Sequence, residues 1–193
     1  MTEVTCPHCN RKVRVRFVRH ETALAARSRQ AGAREIPPLS GGQVCVVLDD
    51  VRSTWNVGSF FRTCDGLGVR HLFLCGITAI PGSREIRKTA LGAEEAVSWS
   101  YHPHPFEAVA RVRASGGVVM AVEHVPQSVI LGDFVPSPSR SLALVFGNEP
   151  DGVSPETLAV VDGAVWIPMR GVKASLNVAV AAGIVLHHCL EFR

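Results

Sequence analysis

Short apolar runs alternate along this chain with segments whose apolar residues recur at helical spacing. The runs at 44–48, His71–Cys75, Val118–Val122, Leu142–Phe146 and 164–167 predict buried strands. Between them, residues 57–67 predict a helix with Val57, Phe60, Phe61, Cys64 and Leu67 on one face. Further helices are expected at 84–91 and at 106–114, the latter stopped by Gly116-Gly117, with a short one after Pro155 and a final one from about 175 to 190. Strands separated by helices imply an α/β fold with a largely parallel sheet covered on both faces. Pro-Pro-Leu-Ser-Gly-Gly opens a linker at 37–43, which separates an N-terminal arm, 1–36, from a body, 44–193.

Open α/β sheets bind ligands beyond the carboxyl ends of their strands. The loops to inspect therefore hold Asn56, Glu123, Gly147-Asn148-Glu149 and 169–175. Neither G-x-G-x-x-G after the first strand nor G-x-x-x-x-G-K-[ST] occurs, which disfavours a dinucleotide dehydrogenase and a P-loop nucleotidase. The triplet Ser175-Leu176-Asn177 sits between an apolar strand and an apolar helix, where Ser175 suits an N-cap and Asn177 a turn. With Glu149 in a Gly-rich turn after the preceding strand, these residues read as one site.

Charge changes the picture once it is divided. The arm holds eight Lys/Arg against three Asp/Glu, and the body twelve against fourteen, so the net +3 originates in the arm. A basic arm on a near-neutral body points to a polyanionic partner, nucleic acid above all. Charged residues interrupt the first thirty positions, and the longest apolar run, 178–186, falls short of the roughly 20 residues that span a bilayer. A cytoplasmic protein with no membrane association is expected. Its thiols should be reduced, with Cys45, Cys64, Cys75 and Cys189 as small core residues. Cys6-Pro7-His8-Cys9 is a C-x-x-C knuckle that resembles half of a zinc ribbon. A structural zinc needs four ligands and only His20 offers itself nearby. Two readings stay open, a zinc shared between two chains and a remnant that holds none; the second is favoured.

Three segments in order carry a resemblance. Asn56-Val57-Gly58-Ser59-Phe60-Phe61-Arg62-Thr63 matches N-x-G-x-x-x-R-T, Gly147 to Gly152 matches G-x-E-x-x-G, and 167–178 matches I-P-M-x-G-x-x-x-S-L-N-V. Residues 44–190 thereby resemble the SpoU/TrmH-like branch of the SPOUT superfamily of RNA ribose 2′-O-methyltransferases. Departures are mild: Ala179 stands for a frequent Ser and Val153 for a frequent Leu. The resemblance implies a SPOUT-type fold with a C-terminal trefoil knot, S-adenosyl-L-methionine as methyl donor, tRNA or rRNA as substrate, and a homodimer. It places the cofactor against the loops at Val122, Gly147, Ile167 and Leu176, where Gly147 permits close backbone approach and Ile167 and Leu176 offer apolar surface.

Catalytic roles fall on Arg62, Asn56, Glu149, Ser175 and Asn177. The resemblance casts Arg62 as a general base, but a guanidinium of pKa above about 12 accepts protons poorly. An electrostatic role suits it better, with Arg62 gripping the adjoining phosphate and stabilising alkoxide character. Glu149 is expected to hold the loops by accepting backbone or Asn hydrogen bonds, Asn56 to orient the same backbone, and Ser175 and Asn177 to present polar groups near the ribose. Two rivals remain: a non-catalytic RNA-binding protein on the same scaffold, against which the intact Arg62, Glu149, Ser175 and Asn177 argue, and a SPOUT enzyme methylating a base nitrogen, which would want another acid/base residue.

Overall fold

A computed structural model of the chain describes residues 2–5, 12–15 and 37–191. The chain divides into two compact units, residues 1–32 and 33–193. In the first, strands β1 (Thr2–Thr5) and β2 (Lys12–Val15) pair antiparallel, Thr2 opposite Val15 and Thr5 opposite Lys12. The charge and the C-x-x-C motif of the arm do not announce this pair; the Lys-Val-Arg-Val alternation of β2 is the period-two signal of a strand. Cys6, Cys9 and His20 lie outside the described residues.

The second unit is an α/β layer structure. Its elements run β3 (Val44–Asp49), α1 (Thr54–Gly66), β4 (His71–Cys75), α2 (Arg84–Ala90), α3 (Ala93–Ala96), β5 (Trp99–His102), α4 (Pro105–Ala114), β6 (Val118–Val122), β7 (Val129–Ile130), a 3-10 turn, β8 (Leu142–Phe146), α5 (Pro155–Leu158), β9 (Gly163–Trp166) and α6 (Val178–Glu191). Seven strands form one parallel sheet in the order β5-β4-β3-β8-β6-β9-β7. Strands β3, β4 and β8 are buried along their whole length. That is why they read as unbroken apolar runs rather than alternating ones. The chain builds outward from β3 to β5, then returns to build β8, β6, β9 and β7 on the other side. The sheet therefore has its switch point between β3 and β8, the place where an open α/β sheet leaves room for a ligand.

Helix α1 closes one face. Phe60 and Phe61 are wholly buried, each contributing about 1.5–3 kcal/mol, and the Phe60 ring meets Phe146 of β8 edge-on at 5.2 Å. Where α1 crosses α2, a Cβ on Gly58 would lie 1.9 Å from Thr89 Oγ1 and 2.7 Å from the Ile86 carbonyl oxygen. Only glycine allows that approach.

Several boundaries differ from the sequence reading. Helix α1 begins at Thr54, because the Ser53 hydroxyl caps it by accepting from Asn56 N. Strand β5 went unread: its Trp-Ser-Tyr-His sequence looks polar, yet Ser100 is buried because it bonds to His71. Strand β9 ends at Trp166 rather than Ile167. Helix α6 starts at Val178, and its cap is Asn177, not Ser175. Asn177 Oδ1 accepts from Ala179 N at 2.9 Å and Val180 N at 3.3 Å.

Candidate active site at the ends of the central strands

The loop after β8 turns on its two glycines. Asn148 and Gly152 exchange backbone hydrogen bonds at 3.0 and 3.1 Å, and Gly152 takes a left-handed φ of 72°. A Cβ on Gly147 would sit 1.9 Å from the Gly152 carbonyl carbon. The close approach that demands glycine at 147 is thus internal to the loop. That requirement stands beside the expected one, close backbone approach to a ligand. Asn148 Oδ1 accepts from Asp151 N at 2.8 Å, so residues 149–151 project from a fixed base. The loop is tied down behind by buried Asp49, whose Oδ2 accepts from Ser154 N and Oγ at 3.0 and 2.7 Å. Glu123 Oε2 supports it from β6, accepting from Val153 N at 3.1 Å.

Glu149 joins the loop after β8 to the loop after β3. Its carboxylate accepts from Arg52 N and Ser53 N, both at 3.2 Å, and from Asn56 Nδ2 at 2.8 Å. Burial alone would raise its pKa. The bonds from Asn56, from its own N–H and from Arg52 and Ser53 outweigh that, so the net shift is downward. A carboxylate at the N-terminus of α1 also complements the helix dipole. Asn56 uses its other end as well: Asn177 Nδ2 donates to Asn56 Oδ1 at 3.2 Å. Glu149, Asn56 and Asn177 therefore form a chain that links all three sequence motifs. Arg52 adds an exposed ion pair with Asp151 at 3.5 Å, a contact worth little by itself.

Beside this chain opens a cavity of about 690 Å³ at the strand ends, within the usual range for small-ligand sites. Val122, Phe146, Ile167 and Leu176 give it apolar surface, and Glu123, Glu149, Ser175 and Asn177 give it polar groups. His124 stacks on Trp166 at 4.2 Å to form one wall. Of the residues expected at the site, Val122, Glu149, Ile167, Ser175, Leu176 and Asn177 line this cavity. Gly147 and Asn56 do not line it but hold residues that do. Arg62 is not brought there: it lies exposed on α1, without a hydrogen bond or ion pair among the described residues. Trp166 and His124 were missed, since an aromatic at a strand end reads as core. Glu123 stood in the right loop, but nothing in the sequence gave it a partner. Among the described residues no group of three His, Cys, Asp or Glu is placed to hold a metal, and no helix is long and apolar enough to cross a membrane.

A cavity at the ends of β6, β8 and β9, beside a fixed carboxylate–amide chain, marks an α/β protein built to hold a small ligand. The chain belongs to the SpoU rRNA Methylase family, whose model matches residues 43–187. It is 34% identical over 143 residues to the tRNA (guanosine(18)-2′-O)-methyltransferase of Thermus thermophilus, covering 73% of this chain and 71% of that relative. Among solved structures, the A. aeolicus TrmH/SpoU tRNA modifying enzyme is 28% identical with a TM-score of 0.70, covering 89% of this chain and 84% of that one. An AdoMet bound rRNA methyltransferase from Sinorhizobium meliloti is 31% identical with a TM-score of 0.73. That match covers 79% of this chain but only 57% of the other, so this chain spans just over half its length.

Proposed function

We propose that the protein is an S-adenosyl-L-methionine-dependent methyltransferase that acts in the cytoplasm on a ribose 2′-hydroxyl of tRNA or rRNA. The observation that carries this reading is the Glu149–Asn56–Asn177 chain beside the 690 Å³ cavity. It joins the three sequence motifs near the sheet's switch point, and a relative 34% identical to this chain is named as a tRNA 2′-O-methyltransferase. The cavity suits the cofactor: the apolar side chains Phe146, Ile167 and Leu176, with Trp166, offer a seat for an adenosyl group. When bound, S-adenosyl-L-methionine supplies an electrophilic methyl group. The carboxylates of Glu149 and Glu123 would favour a cationic centre nearby. The trefoil knot that the family resemblance implies belongs to this proposal, with 167–177 as its cofactor loop.

The chain's own residues would act by holding and by polarising. Glu149, ionised at neutral pH, keeps the loops after β3 and β8 at fixed separation. Asn56 carries that order to Asn177, which sets the first turn of α6. Ser175 has no hydrogen bond within the described residues and presents its hydroxyl to the cavity. Arg62 would grip a phosphate and stabilise negative charge growing on the ribose oxygen.

Arg62 does not line the cavity of its own chain, which supports a homodimer in which RNA contacts come from both copies. Val180 and Ile184 on α6, 54% and 43% exposed, and Val129 and Ile130 on β7 are the apolar positions that a second copy would cover. The arm 1–36 is proposed as an RNA-binding appendage of the body 44–193, adding phosphate contacts through its charge. Calorimetry with S-adenosylhomocysteine, together with transfer of labelled methyl to total RNA, tests the reading. Micromolar binding and labelled RNA are expected. A folded protein that binds RNA but neither binds the cofactor product nor labels RNA would be a non-catalytic binder.

A further inference from the structure

Helix α1 has a second polar face that the cavity does not use. Trp55, Ser59 and Arg62 recur at i, i+4 and i+7 and so share one stripe, about 10 Å from end to end at 1.5 Å rise per residue. Asn56 points elsewhere, to Glu149 and Asn177. Trp55 is 49% exposed, whereas Trp99 is 7% exposed and Trp166 serves the cavity wall. The close crossing at Gly58 sets α2 alongside, and Lys88 Nζ stands 5.8 Å from the centre of the Trp55 ring. Around this pair, α1 and α2 carry Arg62, Arg84, Arg87 and Lys88 against Asp65 and Glu85. None of the four cations is in an ion pair among the described residues. Arg87 makes one hydrogen bond, to the Gly82 carbonyl. Burial does not explain a half-exposed tryptophan, and surface ion pairing does not explain four unpaired cations beside it.

We propose that the α1–α2 face is a nucleotide platform: an unstacked RNA base lies on Trp55 while Lys88 and Arg87 hold its phosphate, next to the ribose that Arg62 serves. Aromatic faces take any base, and cations beside them track the backbone, the combination by which proteins hold single-stranded nucleic acid. The inference rests on the proposed RNA substrate. It adds that the substrate is held by a splayed single-stranded segment, not by duplex shape. Trp55 is a positioning residue here, outside the reacting atoms.

The test uses the full-length protein with unmodified tRNA transcripts and rRNA fragments as probes. RNA binding should quench tryptophan fluorescence in the wild type, and Trp55→Phe should remove most of that quench while keeping affinity within a few fold. Trp55→Ala should raise Kd and KM for RNA about tenfold, within the range for one lost base stack, with kcat and S-adenosylhomocysteine affinity unchanged. Lys88→Gln should lower the slope of log K against log salt by about one contact. Wild-type methylation with an unaltered KM in Trp55→Ala would overturn the platform and leave the enzyme reading intact. Loss of dimer in sedimentation by Trp55→Ala, with RNA quenching preserved in Trp55→Phe, would assign this face to a second copy of the chain and likewise overturn it. A wild type that binds RNA with the expected quench yet transfers no methyl would leave the platform standing and defeat the enzymatic reading instead.

Discussion

The edge and the middle of the same sheet handle polar residues in opposite ways. At the β4–β5 edge, His71 is buried and bonds through Nδ1 to Ser98 Oγ at 2.9 Å and through Nε2 to Ser100 Oγ at 2.8 Å. Ser100 continues to His102 Nε2 at 2.8 Å, and His102 Nδ1 to Glu107 at 3.1 Å. The inner members of this chain, His71 and Ser100, are buried and have their partners. Near the switch point, the Glu149–Asn56–Asn177 chain is equally well bonded, but it ends beside open space, with Ser175 left over. A polar network that closes on itself holds an edge strand in place. One that stops short, with groups left facing a cavity, is prepared for a ligand. A buried or shifted titratable group is therefore not enough to find a site: His71 is the more perturbed, Glu149 the more useful.

The comparison breaks first at Arg62. Arg62→Ala should cut methyl transfer by about 100- to 1000-fold, the usual effect of removing one electrostatic stabiliser, while S-adenosylhomocysteine affinity stays within twofold by calorimetry. Arg62→Lys sharpens the point. A lysine keeps the charge and loses the two-pronged grip, so activity between Ala and wild type supports electrostatics. A strong shift of the rate profile towards pH about 10.4 would support proton abstraction instead.

At the other edge, His71→Leu should lower unfolding free energy by about 1–3 kcal/mol, since Ser98 loses its partner, and leave methyl transfer untouched. The same group sets a pH dependence. Burial first, then repulsion from His102, Arg111 and Arg70, lowers the His71 pKa from 6.5 to about 3. Below pH 6.5 the unfolded chain takes up a proton that the native one refuses. Stability should therefore be level above about 6.5 and decline as pH falls towards 3, with His71→Leu flattening that decline in denaturant titrations. Glu149 works in the same direction but lower: its depressed pKa makes its contribution present at neutral pH and lost as acid protonates it.

The smallest effect distinguishes capping from chemistry. Asn177→Ala should cost about 1 kcal/mol as a lost helix cap. Asn177→Ser restores a cap but not the amide bond to Asn56, so it should recover stability in thermal melts without recovering activity.

The motif loops were legible because their geometry needs particular residues. Gly147 and Gly152 are required by a turn no other side chain fits, and Glu149 by three donors at one helix start. The packing of Gly147 against Gly152 was not legible, because a sequence does not say which backbone comes close. Ser175 suits a cap by residue type, but Asn177 is the cap because it accepts from two backbone donors. Strand β5 was hidden because its Ser and His are satisfied by each other and by β4, which composition counts as polar. Asn56 meets Glu149 and Asn177 while Arg62, close in sequence, lies exposed elsewhere on α1, a separation that helical spacing contains but motif matching ignores.

Alkaline hydrolysis of RNA labelled by the wild-type protein tests the central claim most directly. Alkali cleaves RNA through a free 2′-hydroxyl, so a 2′-O-methyl group protects the bond beside it. The account predicts that the label survives in alkali-resistant dinucleotides and disappears in Arg62→Ala. Label recovered wholly in mononucleotides would place the methyl on a base and contradict the assignment of this site to ribose.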